Sequence, residues 1–486
     1  MDPRKLGELL GDVRDACGPA YRALADGVRV LVADGRLPSG TRLPAERSLA
    51  GVLGVSRITV THAYRELRAN GWADARQGSG TWVRFPDLPD GASGADGAWV
   101  PGPARPGVID LAHAAPAAPD AMPQLVRRAV ERLDAELASH GYGPDGLPAL
   151  RERIAARFTA RGLPTEPDRI VVTGGALHAI GTALGTLAGA GDRVLVEHPT
   201  YPSALDVITD AGARVVPVAL DRDAPEAALP RAARQTAARA AYLMADFQNP
   251  TGALLDDDAR ARLLHRLARQ DVVAVVDETF AELDLRTGAV PALPCAAHAP
   301  REEDAVTVGG LSKVAWGGLR LGWVRAAAEP AARMRRRLAR AQVAPPVLEQ
   351  LIGVEVLDAL DVIRAERARR LRDRRDALVG LLADAFPGWR VVPPEGGVVL
   401  WCDLGAPVSS ALAAAAPRHG LALAPGSRFG HGRAFDDRLR LPFTHPEPVL
   451  AEAVRRLRRV ADEVGDPARD GAGAASADGH RAGVVV

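Results

Sequence analysis

The sequence predicts a chain of two folded units: a small helix-turn-helix unit with a β-hairpin, then a large α/β domain built on a mostly parallel sheet. Three observations predict this. The chain has 486 residues, more than one ordinary domain holds, and 47% of them are hydrophobic, enough for more than one core. Residues 86–107, PDLPDGASGADGAWVPGPARPG, are rich in Pro, Gly and Asp without periodicity, which is the composition of a linker. Beyond the linker, short apolar runs alternate with Ala/Leu/Arg stretches of helical period as far as about Asp462. The chain therefore divides into residues 15–85, the linker 86–107, an α/β domain over 108–464 and a low-complexity tail, 465–486, expected to be disordered.

The first unit reads as helix, tight turn, helix over LPAERSLAGVLGVSRITVTHAYRELRANGW (43–72). Pro44 suits the first turn of a helix, and Leu49, Val52 and Leu53 form its apolar stripe. Gly54 supplies the turn. Ser56 is placed to cap the second helix, in which Val60, Ala63, Tyr64 and Leu67 recur at helical spacing. The first turn of that helix presents Ser56, Arg57, Thr59 and Thr61, short polar groups and one Arg suited to phosphate and to a guanine edge. WADARQGSGTWVR (72–84) then reads as two short strands around Gly78, Ser79 and Gly80. Pattern alone does not separate a DNA-reading unit from a packed helical hairpin.

In the second unit the candidate buried strands are 169–173, 193–198, 214–220, 240–245, 272–278, 305–310 and 322–326. Helical stretches such as 176–189 and 256–270 separate many of them, which argues for a parallel sheet covered on both faces. Ligands of such sheets gather at the carboxyl ends of the strands.

Composition narrows the chemistry. The net charge of +1 does not announce nucleic acid, so any basic surface must be local. Cys17, Cys295 and Cys402 lie far apart with no metal spacing, which points to a reducing compartment. The N-terminus lacks the apolar core of a signal peptide, and runs such as VVAVVD end in charge, so a cytoplasmic protein with no membrane partner is expected. Nearly every basic residue is Arg; Lys5 and Lys313 are the only lysines. Arg stays protonated and cannot form an imine, so an internal Lys in such a chain is a candidate for amine chemistry.

Four segments carry that chemistry. GGLSKVAWGGLRLGW (309–323) sets Lys313 after a strand, with Arg320 seven residues on. A Lys for an imine and an Arg for a phosphate suit pyridoxal 5'-phosphate (PLP). VVDE (275–278) ends a strand with Asp277, a partner for a protonated pyridine nitrogen. TGGALHAI (173–180) is a Gly-rich strand-to-helix turn able to receive a phosphate. FQNPTG (247–252) displays Asn249 in a tight turn, its amide suited to a ring hydroxyl. Each has a bland counterpart as a turn or a cap; their order along one chain is the informative part.

Two resemblances follow. GRLPSGTRLPAERSLAGVLGVSRITVTHAYRELRANGWADARQGSGTWV is similar to the winged-helix domain of GntR-family regulators. This implies binding to double-stranded DNA, with Arg47, Ser56, Arg57, Thr59 and Thr61 matching helix contacts and Gln77 and Gly78 a wing tip. Residues 108–462 resemble the fold type I aminotransferases, and the whole chain is identified as a member of the MocR subfamily. That resemblance implies roles residue by residue. Lys313 matches the imine-forming Lys, Asp277 the partner of the pyridine nitrogen, and Asn249 the partner of the phenolic oxygen. Gly174, Gly175 and Ala176 match the phosphate turn, with Arg320 as the phosphate Arg and Ser312 beside Lys313. Tyr201 matches an aromatic residue at the cofactor. Tyr142 matches a Tyr that reaches the neighbouring subunit's phosphate, so a homodimer is implied. Arg440 matches the Arg for a substrate α-carboxylate.

The sequence departs from that family at three places. Thr279 or Phe280 stands where many relatives carry a Tyr, Gly310 stands where many carry a Ser, and Pro202, Ser203 and Ala204 replace the second Arg of GABA-responsive members. The runs 333–341 and 366–376 read as solvated helix faces, and His178 and His265 as helix-surface residues. The expected function is a transcription regulator whose effector is PLP or a small amino compound. The alternative is an active aminotransferase carrying a DNA-binding domain.

Overall fold

All seven expected strands enter one sheet, and all but the edge strand Arg214–Ala219 are largely buried. In a computed structural model of the chain, the residues described are 1–10, 19–33, 37, 41–69, 72–76, 80–83, 106–219, 225–288, 290, 292–430 and 434–465. Strands are numbered in chain order. The hairpin of the first unit is β1 (Ala73–Arg76) and β2 (Gly80–Val83), and β3 (Ile109–Leu111) opens the second unit. The large sheet takes β4 (Ile170–Thr173), β5 (Arg193–His198), β6 (Arg214–Ala219), β7 (Ala240–Leu243), β8 (Val273–Asp277), β9 (Ala305–Gly310) and β10 (Gly322–Arg325). A smaller sheet takes β11 (Val399–Asp403), β12 (Leu421–Pro425) and β13 (Arg438–Pro442).

The large sheet runs β4-β10-β9-β8-β7-β5-β6, with β10 alone antiparallel to its neighbours. Pro217 lies in β6, at an edge of the sheet, where its missing N–H costs no ladder bond. β8 is central, so Asp277 at its end faces neither edge. The helices Ala176–Leu187 and Asp257–Ala268 form within the two stretches expected to be helical. Asp256 caps the second of these by accepting from Ala259 N–H at 2.7 Å.

The smaller sheet, β11-β13-β12-β3, was not among the expected strands. Its β3 has three residues and pairs in parallel with β12, a partner remote in sequence, so local periodicity carries no sign of it.

In the first unit the helix Glu46–Leu53 ends at Gly54, whose φ of 63° is left-handed. The second helix, Arg57–Ala69, buries Val60, Ala63, Tyr64 and Leu67 as expected, and Ser56 Oγ accepts from Thr59 N–H at 3.0 Å. Two details differ from expectation. Pro44 precedes the N-cap Ala45 rather than lying in the first turn, and its carbonyl accepts the buried Tyr64 hydroxyl at 2.9 Å. Val52 is 42% exposed, so the apolar stripe is Leu49, Ala50 and Leu53. Gln77 and Gly78 lie outside the described residues, as do 84–105 of the linker region and the tail from 466.

Buried charge also orders the α/β domain. Arg260, fully buried, donates to Asp246 Oδ1 at 2.7 Å and to the carbonyls of Leu255 and Leu293. Asp246 begins the turn that carries Asn249, so this pair anchors the turn to the helix Asp257–Ala268. Asp246→Ala strands the Arg260 charge in the interior and is expected to lower unfolding stability by about 3–5 kcal/mol in guanidinium titrations of the full chain. A loss below about 1 kcal/mol would mean that the carbonyls alone hold Arg260.

Candidate functional site

The carboxyl ends of β5, β7, β8 and β9 open into a cleft of about 820 Å³, which is within the usual range for cofactor pockets. Lys313, Ser312, Arg320, Asp277, Asn249, Tyr201, Ala176 and Arg440 all line it. The strand-end geometry brings them together: Lys313 follows β9, Asp277 ends β8, Asn249 follows β7 and Tyr201 follows β5. Arg440 arrives from β13 of the smaller sheet and closes the opposite wall.

Lys313 Nζ donates to Ala114 O at 2.7 Å. Withdrawal from water lowers its ammonium pKa to about 8, and the charges of Arg440 and Arg320 add to that effect while Asp277 opposes it. Asp277 is buried and raised above the ordinary carboxylate range by that burial. Bonds from the Thr279 N–H, the Thr279 hydroxyl and the Tyr242 hydroxyl (2.8 Å) hold it down, as does the charge of Lys313. Arg440 is almost fully buried. Its guanidinium donates to Ala112 O and, at 3.5 Å, to Asn249 Oδ1, and lies 4.8 Å from the Phe429 ring centre. Burial brings it down to about 10.

The cleft fits PLP. Ser312 Oγ is buried without a hydrogen-bond partner beside Lys313. Gly175 has a φ of 103°, and a Cβ there would meet the Arg320 guanidinium at 2.6 Å, so only glycine leaves this cradle open. Arg320 Nη2 donates to Gly174 O at 3.1 Å, and the helix Ala176–Leu187 begins at the turn without a side-chain cap. His178 departs from its expected surface role: its Nδ1 accepts from Gly174 N–H at 3.2 Å and so shapes the turn. Gly310 has a packing reason, since a Cβ there would stand 3.1 Å from Leu321 O and 3.4 Å from Ala176 Cβ.

Tyr142 is the one described member of the cofactor set that its own chain does not bring to the cleft. It is 69% exposed and packs against His140. Sequence reading missed several cleft groups. Tyr242 was read only as part of a strand. The run 366–376 is not wholly solvated: Arg367 is buried and donates to Val314 O, Ala315 O and Ala117 O, bracing the Lys313 turn. Arg374, two turns further along the helix Leu360–Ala385, lines the cleft. In the run 333–341, Met334 and Leu338 are buried while Arg333 and Arg335 tie down Thr186 O and Asp168 O.

On the first unit, Arg47, Ser56 and Arg57 are exposed, Arg57 by 71% of its side chain, while Thr59 and Thr61 are half-buried. Glu46 orders this surface: it accepts from Thr61 Oγ1 at 2.8 Å and lies 3.5 Å from Arg57 Nε. Ile58, passed over in the sequence, is 68% exposed between Arg57 and Thr59. An apolar side chain held in water on a reading helix suits a thymine methyl group.

Residues 106–457 match the aminotransferase class I and II family, and residues 20–83 match the bacterial regulatory proteins of the gntR family. The HTH-type transcriptional regulator YdcR of Escherichia coli is 29% identical over 436 residues, 85% of this chain and 92% of that protein. The probable rhizopine catabolism regulatory protein MocR of Rhizobium meliloti is 29% identical over 332 residues, 64% of this chain and 66% of that protein. Among solved structures, LysN, an α-aminoadipate aminotransferase from Thermus thermophilus, is similar with a TM-score of 0.66 at 27% identity, over 74% of this chain and 93% of that one. With a gntR-type DNA-binding unit fused to a PLP-dependent aminotransferase-like domain, the chain belongs to the MocR subfamily of GntR-family transcriptional regulators.

Proposed function

We propose that this regulator is a cytoplasmic homodimer that binds its promoter through the first unit and reads PLP, or an amino compound brought to PLP, in the cleft of the second. The observation that carries the reading is the position of Lys313, one of the chain's two lysines, with its pKa brought down beside a phosphate cradle. PLP, when bound, supplies an aldehyde for amines and a ring that withdraws electrons. The chain's own groups divide the remaining work. Lys313 provides the attacking amine. Arg320, Ser312, Gly174, Gly175 and Ala176 would hold the phosphate, Asp277 would partner the ring nitrogen, Asn249 the ring oxygen, and Tyr201 would lie at the ring. Arg440 takes the carboxylate of an amino compound. Tyr142 serves the partner subunit, a role its exposure leaves open; the exposed Leu137 and Val343 add apolar surface suited to a subunit contact.

The signal has a physical route. The strap Ala112–Ala117 follows β3 and the linker directly, and its carbonyls accept from Arg440, Lys313 and Arg367. Capture of the Lys313 amine removes the donor to Ala114 O, and a carboxylate on Arg440 competes with Ala112 O. Either change alters the anchoring of the segment that leads to the DNA-binding unit.

A neutral amine is needed to attack an aldehyde. PLP capture by cofactor-free protein is therefore expected to quicken about tenfold per pH unit up to about pH 8 and to level off above it. Borohydride should fix the cofactor on a peptide containing Lys313, and Lys313→Ala should abolish the label. A rate still climbing in the ordinary lysine range, or label on another peptide, contradicts the assignment.

For DNA, Arg57→Ala is expected to cost about 1–3 kcal/mol and to relax specificity at one base position. Arg47→Ala is expected to weaken all sequences alike and to flatten the salt slope by about one unit. Binding titrations on the promoter beside this gene at several salt concentrations separate the two; equal behaviour of both variants rules out the assignment.

Footprinting on that promoter tests the sensor. PLP or an amino compound should change the protection given by the full chain. Identical footprints across PLP and a panel of amines, with turnover of the bound cofactor by amino acids, would instead favour an aminotransferase with a DNA-binding appendage.

A further inference from the structure

The charged side chains lining the cleft are four cations, Lys313, Arg320, Arg374 and Arg440, and one anion, Asp277. On the proposed reading three of the cations have partners in a loaded cleft: Lys313 the aldehyde, Arg320 the phosphate and Arg440 an α-carboxylate. Arg374 has none. Among the described residues it makes no ion pair, and its one hydrogen bond runs from Nη1 to Thr444 O at 2.6 Å. Its neighbour Arg370 is engaged with Asp120 and Glu366, and Arg375 with Asp376. Arg374 is half-buried, and both its burial and the charge of Arg370 work against its protonated form. Among the described residues, Nε and Nη2 of this cleft-lining group make no hydrogen bond. A partly desolvated guanidinium without a counter-charge is costly unless a ligand brings the anion.

We propose that Arg374 selects effectors carrying a second anionic group: an acidic amino compound whose α-carboxylate meets Arg440 and whose distal acid meets Arg374. This rests on the sensor reading above and specifies its ligand class. The bland alternative is that Arg374 is a tie to the Thr444 carbonyl and nothing more. Arg374→Gln separates the two, because Gln keeps an N–H for that carbonyl and loses the charge.

The experiment is a titration of the full-length, PLP-loaded protein followed by the absorbance of the bound cofactor. The probes are L-glutamate and L-2-aminoadipate as diacids of two lengths, with L-glutamine and L-norleucine as neutral counterparts. At least one diacid is expected to half-saturate at a concentration about tenfold below the neutral probes. In Arg374→Gln that advantage is expected to disappear, with the neutral probes shifted by less than about twofold and PLP still retained. No preference in the parent protein, or an equal shift of all four probes in the variant, overturns the proposal and leaves the sensor reading standing. Silence of the cofactor spectrum toward all four probes overturns this proposal and counts against the amino-compound form of the sensor reading, leaving PLP itself as the effector.

Discussion

The strap Ala112–Ala117 is the element on which the cleft depends. Three cations from three parts of the domain donate to its carbonyls: Arg440 from β13, Lys313 from the turn after β9, and Arg367 from the long helix Leu360–Ala385. Arg367 is the rigid member. It is buried and spends its remaining N–H groups on Val314 O and Ala315 O, so the turn carrying Lys313 and the strap facing it are clamped by one guanidinium. A planar fork with five donors can do this; an ammonium, with three donors on one atom, cannot span those carbonyls. The other two bonds are of a different kind. They are made by the two groups that the proposed function assigns to a cofactor aldehyde and a carboxylate; on that reading the strap is held firmly at one point and conditionally at two.

That division explains what periodicity could and could not see. The seven strands of the large sheet were legible because each is a short apolar run, largely buried except in the edge strand β6, and the motif residues follow because strand ends, turns and helix starts are local features. The recognition helix was legible for the same reason: Val60, Ala63, Tyr64 and Leu67 spell one buried face. The sheet β11-β13-β12-β3 was not, since a three-residue strand borrows its identity from a partner at the far end of the domain. Arg367 and Arg374 were hidden in a run of alternating charges that has the composition of a solvated face. What makes one of them a buried brace and the other a cleft residue is what the helix packs against, which the run itself does not encode.

Asp277 shows how the same environment serves two demands. Burial pushes its pKa up and so works against the charged form that would partner a pyridinium. The bonds from Tyr242 and Thr279 and the charge of Lys313 oppose this shift. Thr279 stands near the position of the Tyr found in many relatives, yet its hydroxyl is spent on Asp277 rather than offered to the ring oxygen. Asn249 is then the group left for that oxygen, and Arg440 reaches the same amide at 3.5 Å. On the proposed reading this bond joins the carboxylate site to the ring-oxygen site.

The preference for Arg over Lys gives this domain its character. Guanidinium groups bind carbonyls throughout it, at Pro167, Leu255, Leu293, Leu285 and Thr444 among others, and do work that backbone ladders do elsewhere. Such groups hold their charge at any physiological pH and form no bond to an aldehyde. Against that inert background Lys313 is the only internal amine, and its depressed pKa confines reactivity to one atom. A sensor needs that restriction as much as an enzyme does, because a second reactive amine would capture cofactor without reporting it. The same atom is also one of the strap's three anchors, which on the proposed reading ties its capture to the segment after β3.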